Sequence, residues 1–304
     1  MRIPFEKITD AARMGASAQR ESDVPVRVAV YVDATATPFL IDTVRAAFVP
    51  QTTSAILRVE RLGEGAPSIK QDTDIALVLS CGGDRLEAAV QGIIVGGAPV
   101  AVIAESSVEV PFIERDTRML GLIAATDAGH LLRALSAWIL ERTEKRTAFA
   151  ANFPFMRDEA AKRAIASCAL ANMATGALVF IPGADYPVMA LAQVGMAFEL
   201  AAIYGRPLRP ERGYEVAGVL VAGLALRAGA RVAARRAGRL GFAVKALVAA
   251  GGTYGMGRAL AAVHGSGVDY AAANEALGRA ASTARSLATR LAAGDGPATA
   301  GRAA

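Results

Sequence analysis

Short apolar runs separated by helical patterns dominate the first half of the chain. The β-branched run Val26–Val32 predicts a strand buried on both faces, and Ile75–Ser80 predicts a second buried strand. Val100–Ala104 and Leu120–Ala124 predict two more apolar strands. Ser54–Leu62 alternates apolar and polar residues, which predicts an edge or half-covered strand. The first half of the chain therefore contains five predicted strands.

Helical patterns lie between these runs. Pro38–Phe48 has proline at a helix N1 position and an apolar stripe, Arg85–Ile94 follows a capping Asp84, and Gly129–Arg142 comes after the last strand. An amphipathic helix is also predicted within Met1–Ser22, and we expect it to pack on the strands and helices of the first domain. This alternation predicts a doubly wound, mostly parallel sheet in a first domain of residues 1–145.

After residue 145 the strand pattern stops. Asp158–Leu291 has a helical pattern rich in alanine, and the turn residues Pro182-Gly183, Gly205-Arg206-Pro207 and Gly265-Ser266-Gly267 interrupt it. The sequence thus predicts an α/β domain followed by an all-α bundle or hairpin domain at residues 146–292. Residues 293–304 have nothing to bury and predict a disordered tail.

Composition narrows the classes of protein that the chain can represent. Of the 304 residues, 53% are hydrophobic and 20% charged, with a mean hydropathy of +0.35, which excludes an intrinsically disordered chain. The net charge of +5 is too small to indicate nucleic-acid binding, and two cysteines with two histidines exclude a Cys/His zinc site. The absence of a signal-peptide pattern at the start favours the cytoplasm.

The first domain resembles a known family. DIALVLSCGGDRLEAAV (74–90) followed by APVAVIAES (98–106) is similar to the fourth strand, helix and fifth strand of the Era/Ras-like GTPase domain of translation-factor type. Leu122–Ala125 stands where that family contacts guanine, and the resemblance covers about residues 26–142. A flavodoxin-like or Rossmann-like sheet is the alternative.

The motifs that hold a nucleotide in that family are missing. After the first strand comes Asp33-Ala34-Thr35-Ala36-Thr37-Pro38, without the glycines and lysine of a phosphate-binding loop. Ala104–Ser107 (Ala-Glu-Ser-Ser) replaces Asn-Lys-x-Asp, and Asp-x-x-Gly is absent between the second and third strands. We therefore predict no catalytic residues, no metal ligands and no cofactor, and Gly82 and Gly83 stay as weak ligand candidates because a tight turn explains them equally well.

A second glycine motif lies near the end of the chain. Gly252–Ala259 matches a phosphate-binding loop except for Arg258 and Ala259, but such a loop must follow a strand, and Gly241–Ala250 has a helical pattern. We expect these glycines to permit close contact between helices.

The helical half carries a more specific resemblance, to the domain-of-unknown-function family 697, which includes the YcjF-type proteins. The resemblance spans about residues 150–266 and implies membrane association, a partner role beside a GTPase and no catalytic residues. The matching positions are Pro182, Gly183, Asp185, Pro187, Gln193, Tyr204, Gly205, Thr253, Gly257 and Arg258.

Charge and hydropathy bear on the membrane expectation. Ala164–Ile181 is uncharged over 18 residues, or about 27 Å of helix, just short of a bilayer core, and Val216–Leu226 is shorter. Basic residues that favour anionic headgroups follow the second run, with no interleaved aromatic residue to stack on bases. They are Arg227, Arg231, Arg235, Arg236 and Arg239.

These observations favour a non-catalytic scaffold or regulatory protein, partner of a GTPase, on the cytoplasmic face of the cell membrane. The alternatives are a divergent nucleotide-binding hydrolase, a small-molecule enzyme that uses the Gly82-Gly83 loop, and a soluble cytosolic interaction protein.

Overall fold

A computed structural model describes the backbone of most of the chain. The described residues are 5–63, 67, 69–178, 185–207, 218–219, 221–223, 225, 228 and 241–266.

Five strands form one all-parallel sheet in the order β2-β1-β3-β4-β5. They are β1 (Val26–Val32), β2 (Ala55–Arg61), β3 (Ile75–Leu79), β4 (Val100–Ala104) and β5 (Leu120–Ala124). Every residue of β3 and β4 is buried, as their continuous apolar runs require. The predicted parallel α/β sheet is confirmed, and no described strand is antiparallel.

Helices flank the sheet and make up the later part of the chain. They are α1 (Phe5–Ser22), α2 (Pro38–Ala47), α3 (Leu86–Val95), α4 (Ala128–Arg142), α5 (Arg146–Asn152), α6 (Arg157–Leu178), α7 (Asp185–Ile203) and α8 (Gly241–Gly265), with short 3₁₀ turns η1 (Ser107–Glu109) and η2 (Pro154–Met156).

The helices α2 and α3 cover opposite faces of the sheet. β1 connects through α2 to its neighbour on one side, whereas β3 connects through α3 to its neighbour on the other side. Parallel crossovers are right-handed as a rule, which places two such connections on opposite faces. Thr37 caps α2 as its hydroxyl accepts a hydrogen bond from the Leu40 N–H. The expectation that Asp84 caps α3 is wrong, because α3 begins one residue later and Arg85 occupies the cap position without a side-chain capping hydrogen bond.

On the α3 face, described residues of the segment between β2 and β3 complete the core. Val90 and Ile93 of α3 pack with Tyr31, Val78 and Val102 of the strands, and side chains from the connecting segment, Leu62 and Ile69, cover the rest. Burial of this apolar surface stabilises the sheet by about 25 cal/mol per Å².

Aromatic residues fix the segment after α4 to the sheet. The Phe48 ring at the end of α2 lies 5.0 Å from that of Phe153 and 5.1 Å from that of Phe155. The Asn152 carbonyl accepts a hydrogen bond of 3.1 Å from the Gln51 N–H, and α1 packs against α5. The segment from α5 to η2 is therefore part of the sheet's core.

The chain divides into two compact units. The sheet unit contains Met1–Ser167 and Phe198–Leu208, and the helical unit contains Cys168–Ala197 and Arg209–Ala304. The domain boundary at residue 145 stays a prediction.

Small residues form the buried face of α8 in the helical unit. They recur every three or four positions, as one helix face requires: Ala246, Ala249, Thr253, Gly257 and Ala261. Small side chains let helix backbones approach closely. Gly223, which lies before α8 in the same unit, shows such a close contact, because a Cβ atom added to it would lie 2.8 Å from Oε1 of Gln193 in α7.

Candidate functional site

The strand order defines where a ligand would bind. In an open parallel sheet the crevice lies outside the carboxyl ends of the strands, where connections leave to opposite faces. Here that point lies between β1 and β3. Asp33 and Thr35 follow β1 and Ser80 follows β3, and we name these three residues the switch-point cluster.

One carboxylate oxygen is the centre of the switch-point cluster. Asp33 Oδ2 accepts hydrogen bonds from Thr35 Oγ1 at 2.6 Å and from Ser80 Oγ at 2.7 Å, and the two hydroxyl oxygens are 3.1 Å apart. The turn closed by the Ala36 N–H and the Asp33 carbonyl brings Thr35 back over the end of β1. The cluster therefore results from the ladder between β1 and β3 and from one tight turn.

These hydrogen bonds stabilise the charged form of Asp33. Burial by itself raises the pKa of this carboxyl, but the hydroxyls of Thr35 and Ser80 and the N–H groups of Ala34 and Thr35 outweigh it, so the pKa lies below its ordinary value. A fixed negative charge results at the place where a phosphate-binding loop would need positive potential.

The backbone donors of the loop after β3 are already used. The Cys81 N–H donates to Thr35 Oγ1 at 2.9 Å, and the N–H groups of Gly82 and Gly83 donate to Ser80 Oγ at 3.3 and 3.4 Å. Free N–H groups of this kind are what a phosphate cradle offers to its ligand.

The two weak ligand candidates, Gly82 and Gly83, have structural reasons to be glycine. Gly82 has φ +94°, and an added Cβ would lie 2.7 Å from the carbonyl oxygen of Glu109. A Cβ on Gly83 would lie 2.5 Å from Asp33 Oδ2. Close contact with the switch-point cluster and with η1 therefore explains both residues.

Two more carboxylates border this edge of the sheet. Glu105 accepts a short hydrogen bond from the Thr37 hydroxyl, and Glu109 forms a capping box with Ser106 around η1, in which the Ser106 N–H donates to Glu109 Oε2 at 3.2 Å. The predicted resemblance to a GTPase domain would place a guanine-reading motif at Glu105 and Ser106. Here they bond within the protein.

Cys81 lies half-buried beside these groups. Burial raises the pKa of its thiol, and the nearby Glu109 carboxylate raises it further. A thiol with a raised pKa is a poor nucleophile at neutral pH. Within the described ranges, no cluster of three or more His, Cys, Asp and Glu side chains is suited to a metal ion.

The helical unit has a polar cluster of its own. Thr253 Oγ1 of α8 accepts hydrogen bonds from Asn172 Nδ2 of α6 at 2.9 Å and from Gln193 Nε2 of α7 at 3.0 Å. All three side chains are buried, with at most 4% exposed. We name them the three-helix cluster, and two of its members, Gln193 and Thr253, come from the family pattern.

Other residues of that pattern have local roles. Tyr204 and Gly205 end α7 in a Schellman motif: the Gly205 N–H donates to the Ala202 carbonyl, the Arg206 N–H to the Ala201 carbonyl, and Gly205 has φ +64°.

The remaining positions of the family pattern differ in how far the structure describes them. Gly257 lies on the buried face of α8, and Arg258 is exposed. Gly252–Ala259 is helical throughout, which confirms that it is no phosphate-binding loop. Asp185 and Pro187 lie in the first turn of α7. Two positions of the pattern, Pro182 and Gly183, lie outside the described residues. So do the arginines predicted to contact a membrane or a partner: Arg227, Arg231, Arg235, Arg236 and Arg239.

No helix within the described residues combines the length and the hydropathy that a membrane crossing requires. Among known proteins, no family model, no curated protein and no solved structure matches the chain.

Sequence reasoning missed the partners in both clusters. Thr35 and Ser80 are the polar residues that first follow two adjacent strands near the switch point, a signal available once the strand order is known. Asn172 lies in the uncharged second part of α6, which consists mainly of small and apolar residues, and an isolated amide among such residues indicates a polar partner on a neighbouring helix.

Proposed function

We propose that this chain is a non-catalytic scaffold or regulatory protein that acts through its surfaces, at the cytoplasmic face of a membrane and beside a GTPase. The observation that carries the non-catalytic part is the closure of the switch point. Donors that would face a phosphate bond to Thr35 and Ser80, and the ionised Asp33 occupies the centre.

The electrostatics of the edge point the same way. Asp33, Glu105 and Glu109 border it, and carboxylates repel a triphosphate unless a metal ion or basic side chains intervene. The raised pKa of Cys81 also makes thiol catalysis at this edge unfavourable at neutral pH.

The membrane and GTPase parts of the proposal rest mainly on the sequence. Arginines 227 to 239 follow an apolar run, and the resemblance of the helical half to family 697 supplies the GTPase partner. Large apolar side chains are exposed in the helical unit, among them Leu170, Phe242 and Leu247. Their exposure supports the proposal that this unit has a surface for a partner or a membrane.

Nucleotide titration tests the non-catalytic part. We expect no saturable binding of GTP or ATP, with magnesium, up to millimolar nucleotide, and no hydrolysis. Micromolar binding that Thr35→Val abolishes, while Thr52→Val just before the start of β2 leaves it unchanged, would overturn the proposal.

Vesicle sedimentation tests the membrane part. The full chain should sediment with vesicles that contain phosphatidylserine and stay in solution with phosphatidylcholine vesicles, because arginines bind anionic headgroups. The triple change Arg227→Gln, Arg231→Gln and Arg235→Gln should abolish sedimentation. The matched triple change at Arg279, Arg285 and Arg290 removes the same charge elsewhere and should not; equal loss in both triples would contradict the proposed surface.

A further inference from the structure

Among the strands that the structure describes, β2 is an edge of the sheet, with β1 as its one neighbour. The Val26 N–H donates to the Ser54 carbonyl at 3.0 Å, and the Leu62 N–H donates to the Val32 carbonyl at 2.9 Å. Because a parallel ladder uses alternate residues, the N–H and C=O groups of Ala55, Leu57, Val59 and Arg61 point away from β1. No described residue hydrogen-bonds to these outward groups.

Apolar side chains on β2 are exposed as well. Val59 is 61% exposed and Ile56 is 43% exposed. An open strand edge with exposed β-branched residues is a template for another strand, and proteins usually protect such edges with charges, proline or a bulge. Here β2 is seven residues long and contains neither proline nor a described bulge.

The charged residues of β2 are placed so that they would face opposite charges on the β2 strand of a second copy of the chain. Arg58 and Glu60 flank Val59 and have opposite signs. When two copies of β2 pair antiparallel about a two-fold axis at Val59, Val59 faces Val59, each Arg58 faces Glu60 of the other copy, and each Ile56 faces Leu62. Opposite charges directly across a ladder stabilise the pair.

Other registers are poorer. To form hydrogen bonds, the outward N–H and C=O groups of one copy must face those of the other copy. In every two-fold register that meets this condition, one residue lies on the axis and faces itself. Centres at Arg58, Glu60 or Arg61 place like charges opposite each other, which is destabilising. A centre at Leu57 leaves Glu60 opposite Ser54 and Arg58 opposite Ile56, without a charge match.

Within one chain, an ion pair already holds the Arg58 side chain close to the β2 edge. Its guanidinium Nη1 lies 3.1 Å from Asp72 Oδ1, an ion pair that keeps the side chain on the sheet face of Glu60. Residues of the same parity share a face, so Arg58 of one copy and Glu60 of the other lie on the same side of a joined sheet.

We propose that two copies of this chain associate through antiparallel pairing of β2 centred on Val59, which joins their sheets into one. The proposal names one partner for a protein that acts through surfaces, and it holds whether or not the membrane and GTPase parts of the proposed function do.

Directed cross-linking of the full chain tests the register. In a hydrogen-bonded antiparallel pair the two Cα atoms are about 5.5 Å apart, within the range of a disulfide. Val59→Cys should therefore form a covalent dimer under copper-phenanthroline oxidation. Ile56→Cys, also exposed but far from its own copy, should not, nor should the unaltered chain with Cys81 and Cys168. Equal cross-linking of both variants would overturn the register.

Sedimentation equilibrium tests the charge match. The unaltered chain should show a concentration-dependent dimer, and Glu60→Arg should raise its dissociation constant at least tenfold, because arginines then face each other. The swap Arg58→Glu with Glu60→Arg restores opposite signs and should restore the dimer. Arg61→Glu faces Leu57 and should have little effect. A chain that stays monomeric at all concentrations, or a dimer that ignores Glu60→Arg, would overturn the proposal; circular dichroism verifies that each variant is folded.

Discussion

The sheet unit and the helical unit each gather two hydrogen-bond donors around a single oxygen atom. In the switch-point cluster the oxygen is Asp33 Oδ2, which is charged, and its donors are hydroxyls at 2.6 and 2.7 Å. In the three-helix cluster the oxygen is Thr253 Oγ1, which is neutral, and its donors are amides at 2.9 and 3.0 Å.

The two clusters differ in access to water. Asp33 is half-buried and Thr35 is exposed, although Ser80 is 0% exposed, whereas all three side chains of the three-helix cluster are buried. The partners of Ser80 at the sheet edge, Asp33 and Gly82, can therefore bond to water when they lose it. The amide donors in the helical core cannot, and an unsatisfied buried donor costs far more than the lost bond. Similar hydrogen-bond geometry therefore gives unequal contributions to stability in the two units.

The largest expected effect is in the three-helix cluster. Thr253→Val leaves two buried amide donors without their acceptor and should lower the free energy of unfolding by about 2–4 kcal/mol. Urea denaturation measures this change. Thr175→Val is the matched control, because Thr175 donates to a carbonyl of its own helix near the surface, and it should cost much less.

A compensated variant sharpens this result. Adding Asn172→Leu and Gln193→Met to Thr253→Val replaces all three polar groups by apolar ones and should recover much of the loss, because no donor is then left unsatisfied. Further loss on adding them would mean that the cluster stabilises the helices by specific bonding.

The next effect concerns the close contact at the sheet edge. Gly82→Ala strains a residue at φ +94° and pushes its Cβ to 2.7 Å from the Glu109 carbonyl oxygen, so we expect a loss of about 2–3 kcal/mol. Gly97→Ala is the matched control, with φ +91° and open space around the new Cβ, and should cost about 1 kcal/mol. Equal losses in thermal unfolding would show that η1 does not close on the loop.

Ser80→Ala should have a smaller effect, a loss of about 1–2 kcal/mol, because its partners Asp33, Gly82 and Gly83 are partly exposed and water can bond to them instead. It removes one donor to Asp33 and the acceptor for Gly82 and Gly83. We also expect the pKa of Asp33 to rise, which nuclear magnetic resonance titration of the carboxyl detects. Ser136→Ala, at a buried serine that donates to a carbonyl of its own helix, controls for loss of a hydroxyl and should leave that pKa unchanged.

The smallest effect is a dependence on pH. The pKa of Asp33 is below its ordinary value of 3.8, so its contribution to stability is present above that value and is lost as the pH falls through the pKa of the folded state. Asp33→Asn removes this contribution, and its free energy of unfolding should fall less steeply on acidification. Denaturation curves at a series of acidic pH values measure the slope, and identical slopes would show that Asp33 is not stabilised as a carboxylate.

Local pattern explains which elements the sequence could predict. Val26–Val32, Ile75–Leu79 and Val100–Ala104 are strands because their apolar runs need burial on both faces, and that requirement is readable residue by residue. The end of α7 at Tyr204-Gly205 is also determined locally, by a glycine with a left-handed backbone conformation. The sequence pattern did not predict α5, and it wrongly predicted Asp84 as the cap of α3. A seven-residue helix and a cap shifted by one position depend on packing more than on pattern.

By itself, the sequence determined the parallel sheet, the helical second half and the lack of a phosphate-binding loop after β1, because periodicity and missing glycines are properties of neighbouring residues. Only the tertiary structure decided that Asp33 meets Ser80 across 47 positions and that Gln193 meets Thr253 across 60. Both hydrogen bonds join elements whose mutual position follows from strand order and helix packing, and one sequence taken alone contains no local signal of either.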